Sequence, residues 1–250
     1  MKMSAIFTVS ESKRLIAKGI VRFRIVRDAL EKGTVAVAKG TTNSYIVEEL
    51  LGEKINKTTY CTGVTRPEAP AKKSVTSGAF PDVVLKNGER LQVSVTDAVK
   101  EMGPGDVFIK GANALNYERG QAAILVGHST GGTTGAAYGA VIGRRIQWVI
   151  PVGLEKSVPA DLAAVAHRVN LAEDEKGYVP GLWLVTGHIF TEIEAIRTLT
   201  RAEAMPIGAG GISGAEGSVR LLICGTREQL DEAEKLIASI RGEPPFIVSA

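Results

Sequence analysis

The chain has 250 residues, of which 44% are hydrophobic, 23% charged and 5% aromatic. This balance is typical of one or two globular domains and excludes a long disordered chain, a collagen-like fibre and a membrane bundle. Its 30 basic and 27 acidic residues leave a net charge of +3, which gives no reason to expect a nucleic-acid partner. Cys61 and Cys224 are too distant in sequence to suggest a disulfide framework or a zinc cluster.

The first ten residues form a short, weakly apolar stretch interrupted by hydroxyl side chains, so we expect no targeting segment. The longest run without Asp, Glu, Lys or Arg, residues 120–143, contains too many glycines and hydroxyl residues for a membrane span. We therefore expect a cytoplasmic protein with no membrane partner. We also expect a homo-oligomer without cofactor or metal.

Apolar residues at helical spacing predict a helix over residues 11–32, capped by Ser10 or Ser12 and stopped by Gly33. A stripe of Arg14, Lys18 and Arg22 lies on another face of this helix. A stripe of this kind is typical of a solvated face, and the alternative is an anion or nucleic-acid surface.

The next part of the chain alternates strands and helices. Predicted strands cover residues 34–38, 106–109, 121–126 and 146–152, and predicted helices cover 44–51, 97–102, 136–143 and 160–169. Residues 58–95, with Pro67, Pro70 and Pro81, look irregular or antiparallel, with a hairpin turn at Asn87-Gly88 between 82–85 and 90–95. This order predicts an α/β domain over residues 1–176, with a Rossmann-like, mostly parallel sheet and helices on both faces.

The last part of the chain has a different order. Strands are predicted at 182–186, 204–208, 218–224 and 245–248, with helices at 191–203 and 227–240, the second capped by Thr226. The order βαββαβ predicts a ferredoxin-like α+β domain over residues 177–250. The boundary is placed in the charged stretch 173–177.

Two small polar loops precede helices and are candidate ligand sites. Gly40, Thr41, Thr42 and Asn43 follow the strand at 34–38, where backbone N–H groups and the helix dipole favour an anion. Simple capping of the helix is the alternative. The second loop, residues 127–135, offers Gly131, Gly132, Thr133 and Thr134 in the same way, although it lacks the lysine of a Walker A loop. Its alternative is tight packing of the helix against neighbouring backbone.

The second loop also contains Gly127-His128-Ser129-Thr130-Gly131, which matches the nucleophile elbow G-x-S-x-G of α/β-hydrolases. A serine hydrolase with Ser129 as nucleophile would take its histidine from His167 or His188 and its acid from Asp161 or Asp174. Only a turn separates the strands at 106–109 and 121–126, whereas the α/β-hydrolase fold needs a crossover helix between these strands. The hydrolase is therefore the second hypothesis.

Residues Lys110, Gly111 and Asn113 follow the strand at 106–109, and ligands bind at the carboxyl ends of strands in open α/β sheets. Lys110 is the candidate catalytic residue, and it can pair with a phosphate or carboxylate. A turn that uses the backbone tolerance of Gly111 and Asn113 is the alternative. Glu155 and Lys156 hold a comparable position after the strand at 146–152, and we expect them to be an ordinary exposed pair.

Several of these segments resemble the superfamily of ribose-5-phosphate isomerase, glucosamine-6-phosphate deaminase and the coenzyme A transferases. The segment 34–42 resembles the opening strand and phosphate loop of that superfamily, 107–114 its strand ending in G-A-D, and 148–152 the strand that follows. The resemblance implies a phosphate-binding role for Gly40, Thr41, Thr42 and Asn43. A ferredoxin-like domain late in the chain also occurs in the isomerase.

The catalytic acids of the isomerase are not matched. Lys110, Asn113 and Ala114 stand where the isomerase has carboxylates, and residues 120–143 contain no Lys, Asp or Glu. Isomerisation through an enediol needs a general base within reach of a carbon-bound proton. The resemblance therefore implies the scaffold and the phosphate loop without the chemistry.

The sequence thus predicts a protein that binds a small anionic metabolite, expected to be phosphorylated, through two loops that face one another. It is an isomerase-like enzyme with altered catalytic residues or a binding protein. A structural or assembly protein, whose glycine loops only pack elements together, is the remaining hypothesis.

Overall fold

The computed structural model describes residues 1–62, 65, 79–174 and 176–246. The predicted features at Pro67, Pro70 and residues 247–248 lie outside this part of the chain. The described helices are α1 Val9–Ile20, α2 Arg24–Lys32, α3 Thr41–Leu51, α4 Val95–Glu101, α5 Gly132–Gly143, α6 Leu162–Val169, α7 Glu192–Thr200 and α8 Arg227–Ile240. The described strands are β1 Lys2–Phe7, β2 Thr34–Val37, β3 Val83–Lys86, β4 Glu89–Leu91, β5 Val107–Ile109, β6 Ala114–Asn116, β7 Gln121–Val126, β8 Gln147–Pro151, β9 Gly181–Val185, β10 His188–Phe190, β11 Glu203–Ala209 and β12 Val219–Cys224.

The largest sheet has six strands in the order β10-β8-β5-β2-β3-β4. Strands β10, β8, β5 and β2 are parallel neighbours, and β3 and β4 continue the sheet in antiparallel pairing. Residues 35–37 and 107–109 are all buried, as expected for strands covered on both faces. The prediction of a mostly parallel α/β sheet is therefore confirmed for this sheet.

The predicted ferredoxin-like domain is not confirmed, because its strands lie in three different sheets. Strand β9 pairs with β7 in a three-stranded antiparallel sheet, and β10 joins the six-stranded sheet. Strands β11 and β12 form a third sheet with the N-terminal β1. The predicted residues 245 and 246 lie outside any strand.

Strand pairing crosses the predicted boundary between residues 176 and 177 in all three sheets. Strands β1, β7 and β8 come from the first predicted domain, and their partners β12, β9 and β10 come from the second. Backbone hydrogen bonds therefore join the two predicted ranges.

The single helix predicted over residues 11–32 is wrong, since the chain forms α1 and α2 with a break between them. Phe23 has an extended backbone (ψ 128°), and its ring packs 5.2 Å from the ring of Phe190. The predicted caps Ser10 and Ser12 lie inside α1. Its N-cap is Thr8, whose hydroxyl accepts from the Glu11 N–H while the Glu11 carboxylate accepts from the Thr8 N–H.

The predicted solvated stripe on this helix is also wrong at Arg14, which is 3% exposed. Its guanidinium donates to the carboxylates of Glu48 and Glu49 on α3 and of Glu243 near the end of the described chain. Helix α1 packs against both α3 and α7, so this face of α1 is interior. Arg22 is exposed, as predicted.

The predicted hairpin turn and the predicted cap of α8 are confirmed. Asn87 and Gly88 connect β3 and β4 with positive φ angles of 51° and 81°, as a two-residue hairpin turn requires. Thr226 caps α8 and forms a reciprocal capping box with Gln229. Both features depend only on residues within a few positions of one another.

Candidate functional site

The four parallel strands end at the same edge of the six-stranded sheet, so the segments that follow them meet there. These segments begin at Ala38 after β2, Lys110 after β5, Val152 after β8 and Thr191 after β10. Ligands of open α/β sheets bind at this carboxyl edge.

After β2, helix α3 begins at Thr41, and its N-cap Gly40 provides no side-chain hydrogen bond. Asn43 is 1% exposed, and its amide nitrogen donates to the carbonyls of Ala38 (2.6 Å) and Ile109 (3.4 Å). This side chain therefore ties the ends of β2 and β5 together. Its carbonyl oxygen and the hydroxyl of the buried Thr42 have no hydrogen-bond partner among the described residues.

After β5, Gly111 allows the chain to approach β8 closely, because a Cβ atom there would lie 2.8 Å from the Pro151 carbonyl. Lys110 precedes it, and the carbonyl of Lys110 accepts from the Trp148 indole (3.1 Å). Burial lowers the pKa of the Lys110 ammonium. Within the described ranges this ammonium has neither a hydrogen-bond nor an ion-pair partner.

Asn113 does not lie with these groups. It is exposed, its backbone N–H donates to the Ala123 carbonyl, and its side-chain oxygen accepts from the Leu125 N–H (3.0 Å). The residue therefore braces the hairpin of β6 and β7.

After β8, Glu155 and Lys156 form a 3-10 turn with Leu154. The expectation that they are an ordinary exposed pair is wrong, since both are half-buried. The Lys156 ammonium donates to the Ala112 carbonyl (2.9 Å), and burial lowers its pKa. The Glu155 carboxylate packs against the backbone of Gly153, because a Cβ atom at Gly153 would lie only 1.7 Å from Glu155 Oε2. This oxygen has no hydrogen-bond partner among the described residues.

After β10, Glu192 opens helix α7 and is fully buried. Its Oε2 accepts from the Leu154 N–H (3.0 Å), and its Oε1 has no partner in the described chain. Burial, followed by the nearby charge of Glu155, raises the pKa of Glu192 to about 7, against the opposing effect of the backbone N–H groups of Glu192 and Leu154. This carboxyl group therefore holds a proton under mildly acidic to neutral conditions.

Lys13 of α1 completes the arrangement. It is 6% exposed, and its ammonium donates weakly to the Val9 carbonyl (3.4 Å). Burial lowers the pKa of Lys13, Lys156 lowers it further, and Glu155 and Glu192 oppose the shift. We call Lys13, Glu155, Lys156 and Glu192 the Lys–Glu cluster.

Comparison of the chain with family models, with curated proteins and with solved structures gives no match. The site is therefore interpreted from its own geometry. Among the described residues, no group of three or more His, Cys, Asp or Glu side chains is arranged to hold a metal ion. No described helix has the length and apolar composition needed to cross a bilayer.

The second predicted loop lies elsewhere. It follows β7 of the antiparallel sheet β6-β7-β9, whereas the loop at Gly40 follows β2 of the six-stranded sheet. Residues 127–131 line a cavity of about 840 Å³ together with α6 and β9, and no residue of 40–44 lines it. The expected arrangement of two facing loops is therefore not observed.

Two glycines of this second loop have a packing role. Gly131 has a positive φ of 80°, and a Cβ atom there would lie 2.7 Å from the Trp183 ring. A Cβ atom at Gly135 would lie 2.0 Å from the Thr130 carbonyl. Helix α5 can therefore begin against β9 only because these positions lack side chains. Gly132, Thr133 and Thr134 form its first turn, and Thr134 is buried.

The serine hydrolase hypothesis receives little support from this cavity. Ser129, His128 and His167 all line it, but Ser129 has no hydrogen-bonded imidazole within the described ranges. The His128 Nδ1 accepts instead from the Thr130 N–H (3.2 Å). Asp161, one candidate acid, caps α6 and accepts from the Gln121 amide (2.9 Å). No acid is thus paired with a histidine here.

Sequence reasoning missed Lys13 and Glu192. The sequence did contain one signal for Glu192. Thr191 and Glu194 have the spacing of a capping box, which places Glu192 in the first turn of a helix that follows an apolar segment. Lys13 gave no signal, since a lysine on an amphipathic helix is normally exposed.

Proposed function

We propose that the chain binds a small anionic metabolite, phosphorylated or carboxylated, at the carboxyl edge of the six-stranded sheet. One observation carries the proposal. Thr42, Asn43, Glu155 and Glu192 each have a buried polar atom without a partner among the described residues, and all four lie at this edge. Buried polar atoms in folded proteins are nearly always hydrogen-bonded, so a ligand or bound water is expected here.

The lysines of this edge favour an anion. Lys13, Lys110 and Lys156 have pKa values lowered by burial, and none has a carboxylate at ion-pair distance among the described residues. A buried cation without a counter-ion is costly, and an anionic ligand would relieve that cost. The uncapped N-terminus of α3 at Gly40 would add backbone N–H donors.

The polar atoms that lack a hydrogen-bond partner also indicate which other groups the ligand carries. Because the amide nitrogen of Asn43 is used for two backbone carbonyls, its free oxygen needs a donor such as a hydroxyl group. A hydroxylated anion meets both requirements. A Rossmann-like scaffold with helices on both faces, of the kind found in the isomerase superfamily, is the fold that we propose for this site.

A thermal-shift panel tests the proposal. Inorganic phosphate, sugar phosphates, hydroxy acids and their uncharged counterparts are added to the full chain. A ligand present at 100 times its Kd contributes about 2.7 kcal/mol, which corresponds to a Tm rise of about 5–10 °C for a chain of this size. We expect charged members of the panel to raise the Tm and uncharged members to leave it unchanged.

The variant Lys156→Met is expected to abolish this shift, because it removes one cation of the site. Lys235→Met is the matched control, since Lys235 is exposed on α8. If no anion raises the Tm of the wild-type chain, the binding proposal is wrong and the structural or assembly hypothesis gains.

A further inference from the structure

We propose that Lys156 is a nucleophilic amine that forms an imine with a small carbonyl-bearing anion, and that Glu192 supplies the proton on which water departs. The proposal rests on the anion site described above and adds covalent chemistry to it. Its basis is the placement of one half-buried amine and one buried carboxyl group at the ends of the neighbouring parallel strands β8 and β10, where Glu192 accepts from the N–H of Leu154, two residues before Lys156.

The surroundings of Lys156 suit a nucleophile. Its ammonium donates to a single carbonyl, that of Ala112, and has no carboxylate at ion-pair distance among the described residues. An amine held in a tight ion pair would keep its proton, whereas a desolvated amine loses it readily. The residue as a whole is half-buried and not fully enclosed.

The other two lysines fit this role less well. Lys13, the member of the cluster on α1, is only 6% exposed, so it suits the binding of a ligand's negative charge. Lys110 has a pKa lowered by burial alone, with no contribution from a carboxylate. It therefore lacks the acid that the dehydration step needs.

Glu192 suits a proton donor. It is fully buried, one of its oxygens is held by the Leu154 N–H, and the other has no partner among the described residues. Burial and the charge of the neighbouring Glu155 disfavour the ionised form of Glu192, so the pKa of Glu192 is raised and it keeps its proton.

The reaction balances without any further reactant. The Lys156 ammonium first releases a proton to solvent. The free amine then attacks the carbonyl carbon, a C–N bond forms as the C=O π bond breaks, and a proton passes from nitrogen to oxygen to give a carbinolamine. Glu192 then protonates the hydroxyl group, the C–O bond breaks, and one water leaves. The products are an iminium ion on Lys156 and a carboxylate on Glu192, whose opposite charges stabilise one another.

Reductive trapping tests the proposal on the full chain. Glyoxylate, a carboxylate aldehyde, and glycolaldehyde phosphate, a phosphate aldehyde, are the two probes, each supplied with cyanoborohydride at neutral pH. Peptide mass spectrometry then locates the alkylated lysines. Because a lowered pKa raises the free-amine fraction at neutral pH, we expect Lys156 to be alkylated faster than Lys235 with one or both probes.

Two variants separate the roles. Glu192→Gln is expected to slow alkylation of Lys156 by about 100-fold, the lower end of general-acid effects. Lys156→Arg keeps the positive charge but cannot form the imine. It is expected to lose alkylation at residue 156 while its Tm still rises with the anions of the panel.

The outcomes distinguish this inference from the binding proposal. Anion-induced Tm shifts without preferential alkylation of Lys156 would overturn the imine and leave the binding site intact. Loss of both signals in the wild-type chain would overturn both proposals. A Glu192→Gln variant that melts cooperatively and alkylates at the wild-type rate would show that Glu192 is not the proton donor.

Discussion

Replacement of Glu192 by Gln has a consequence for stability that depends on pH. Burial and the charge of Glu155 raise the pKa of this carboxyl from its ordinary value of 4.5 to about 7. Between these two values the folded chain keeps a proton that the unfolded chain releases. The contribution of Glu192 to the free energy of unfolding therefore falls as pH rises through this window, and it stays low above about pH 7.

The size of the effect follows from the two pKa values. The difference between about 7 and 4.5 corresponds to a loss on the order of 3 kcal/mol above neutral pH. Gln has nearly the same shape as protonated Glu and does not titrate, so the Glu192→Gln variant escapes this loss. Its neighbours Ser12, Lys13 and Lys156 remain unchanged in the comparison, as does the Leu154 N–H.

Urea unfolding at pH 5 and pH 8 measures the difference. We expect the stability of Glu192→Gln relative to wild type to increase by about 2 kcal/mol or more between the two pH values. Glu234→Gln, at an exposed position on α8, is the matched control and is expected to show no such change. An equal difference at both pH values would refute the raised pKa of Glu192 and the effect of its burial.

Other variants test the fold around the site. Arg14→Ala leaves the buried carboxylate of Glu48 without its main partner and is expected to cost about 3–5 kcal/mol in urea unfolding. The control Arg24→Ala removes an exposed i,i+4 ion pair and should cost less than about 0.5 kcal/mol. Equal costs for Arg14→Ala and Arg24→Ala would contradict the buried network of Arg14. Gly131→Ala is expected to lower the Tm more than Gly132→Ala. Both glycines have positive φ angles, but only at Gly131 would a Cβ atom collide with Trp183, so equal losses would argue against that packing.

Features set by neighbouring residues could be predicted. The strand at β2 and the hairpin between β3 and β4 follow from β-branched runs and an Asn-Gly turn, and the structure confirms them. The C-terminal sheet could not be predicted in the same way. Strands β11 and β12 were predicted correctly, but β12 also pairs with β1, more than two hundred residues away in sequence. Pairing between strands so far apart in sequence depends on how the whole chain buries its apolar residues. A local sequence pattern therefore does not predict it.

The candidate site likewise contains residues that the sequence predicted and residues that it did not. The loop of Gly40 and Asn43 was predicted from its position between a strand and a helix, and it lies at the carboxyl edge. The Lys–Glu cluster was missed, because its members come from α1, from the turn after β8 and from α7. A lysine or glutamate gives the same signal in sequence whether it is solvated or buried.

The sequence by itself therefore determined many of the elements, their local turns and the mostly parallel character of the central sheet. These follow from propensity and from the period of apolar residues, which act over a few positions. Only the tertiary structure decided which charged side chains are enclosed, since desolvation depends on every element packed around a group. That enclosure turns ordinary lysines and glutamates into the groups on which the proposed chemistry depends.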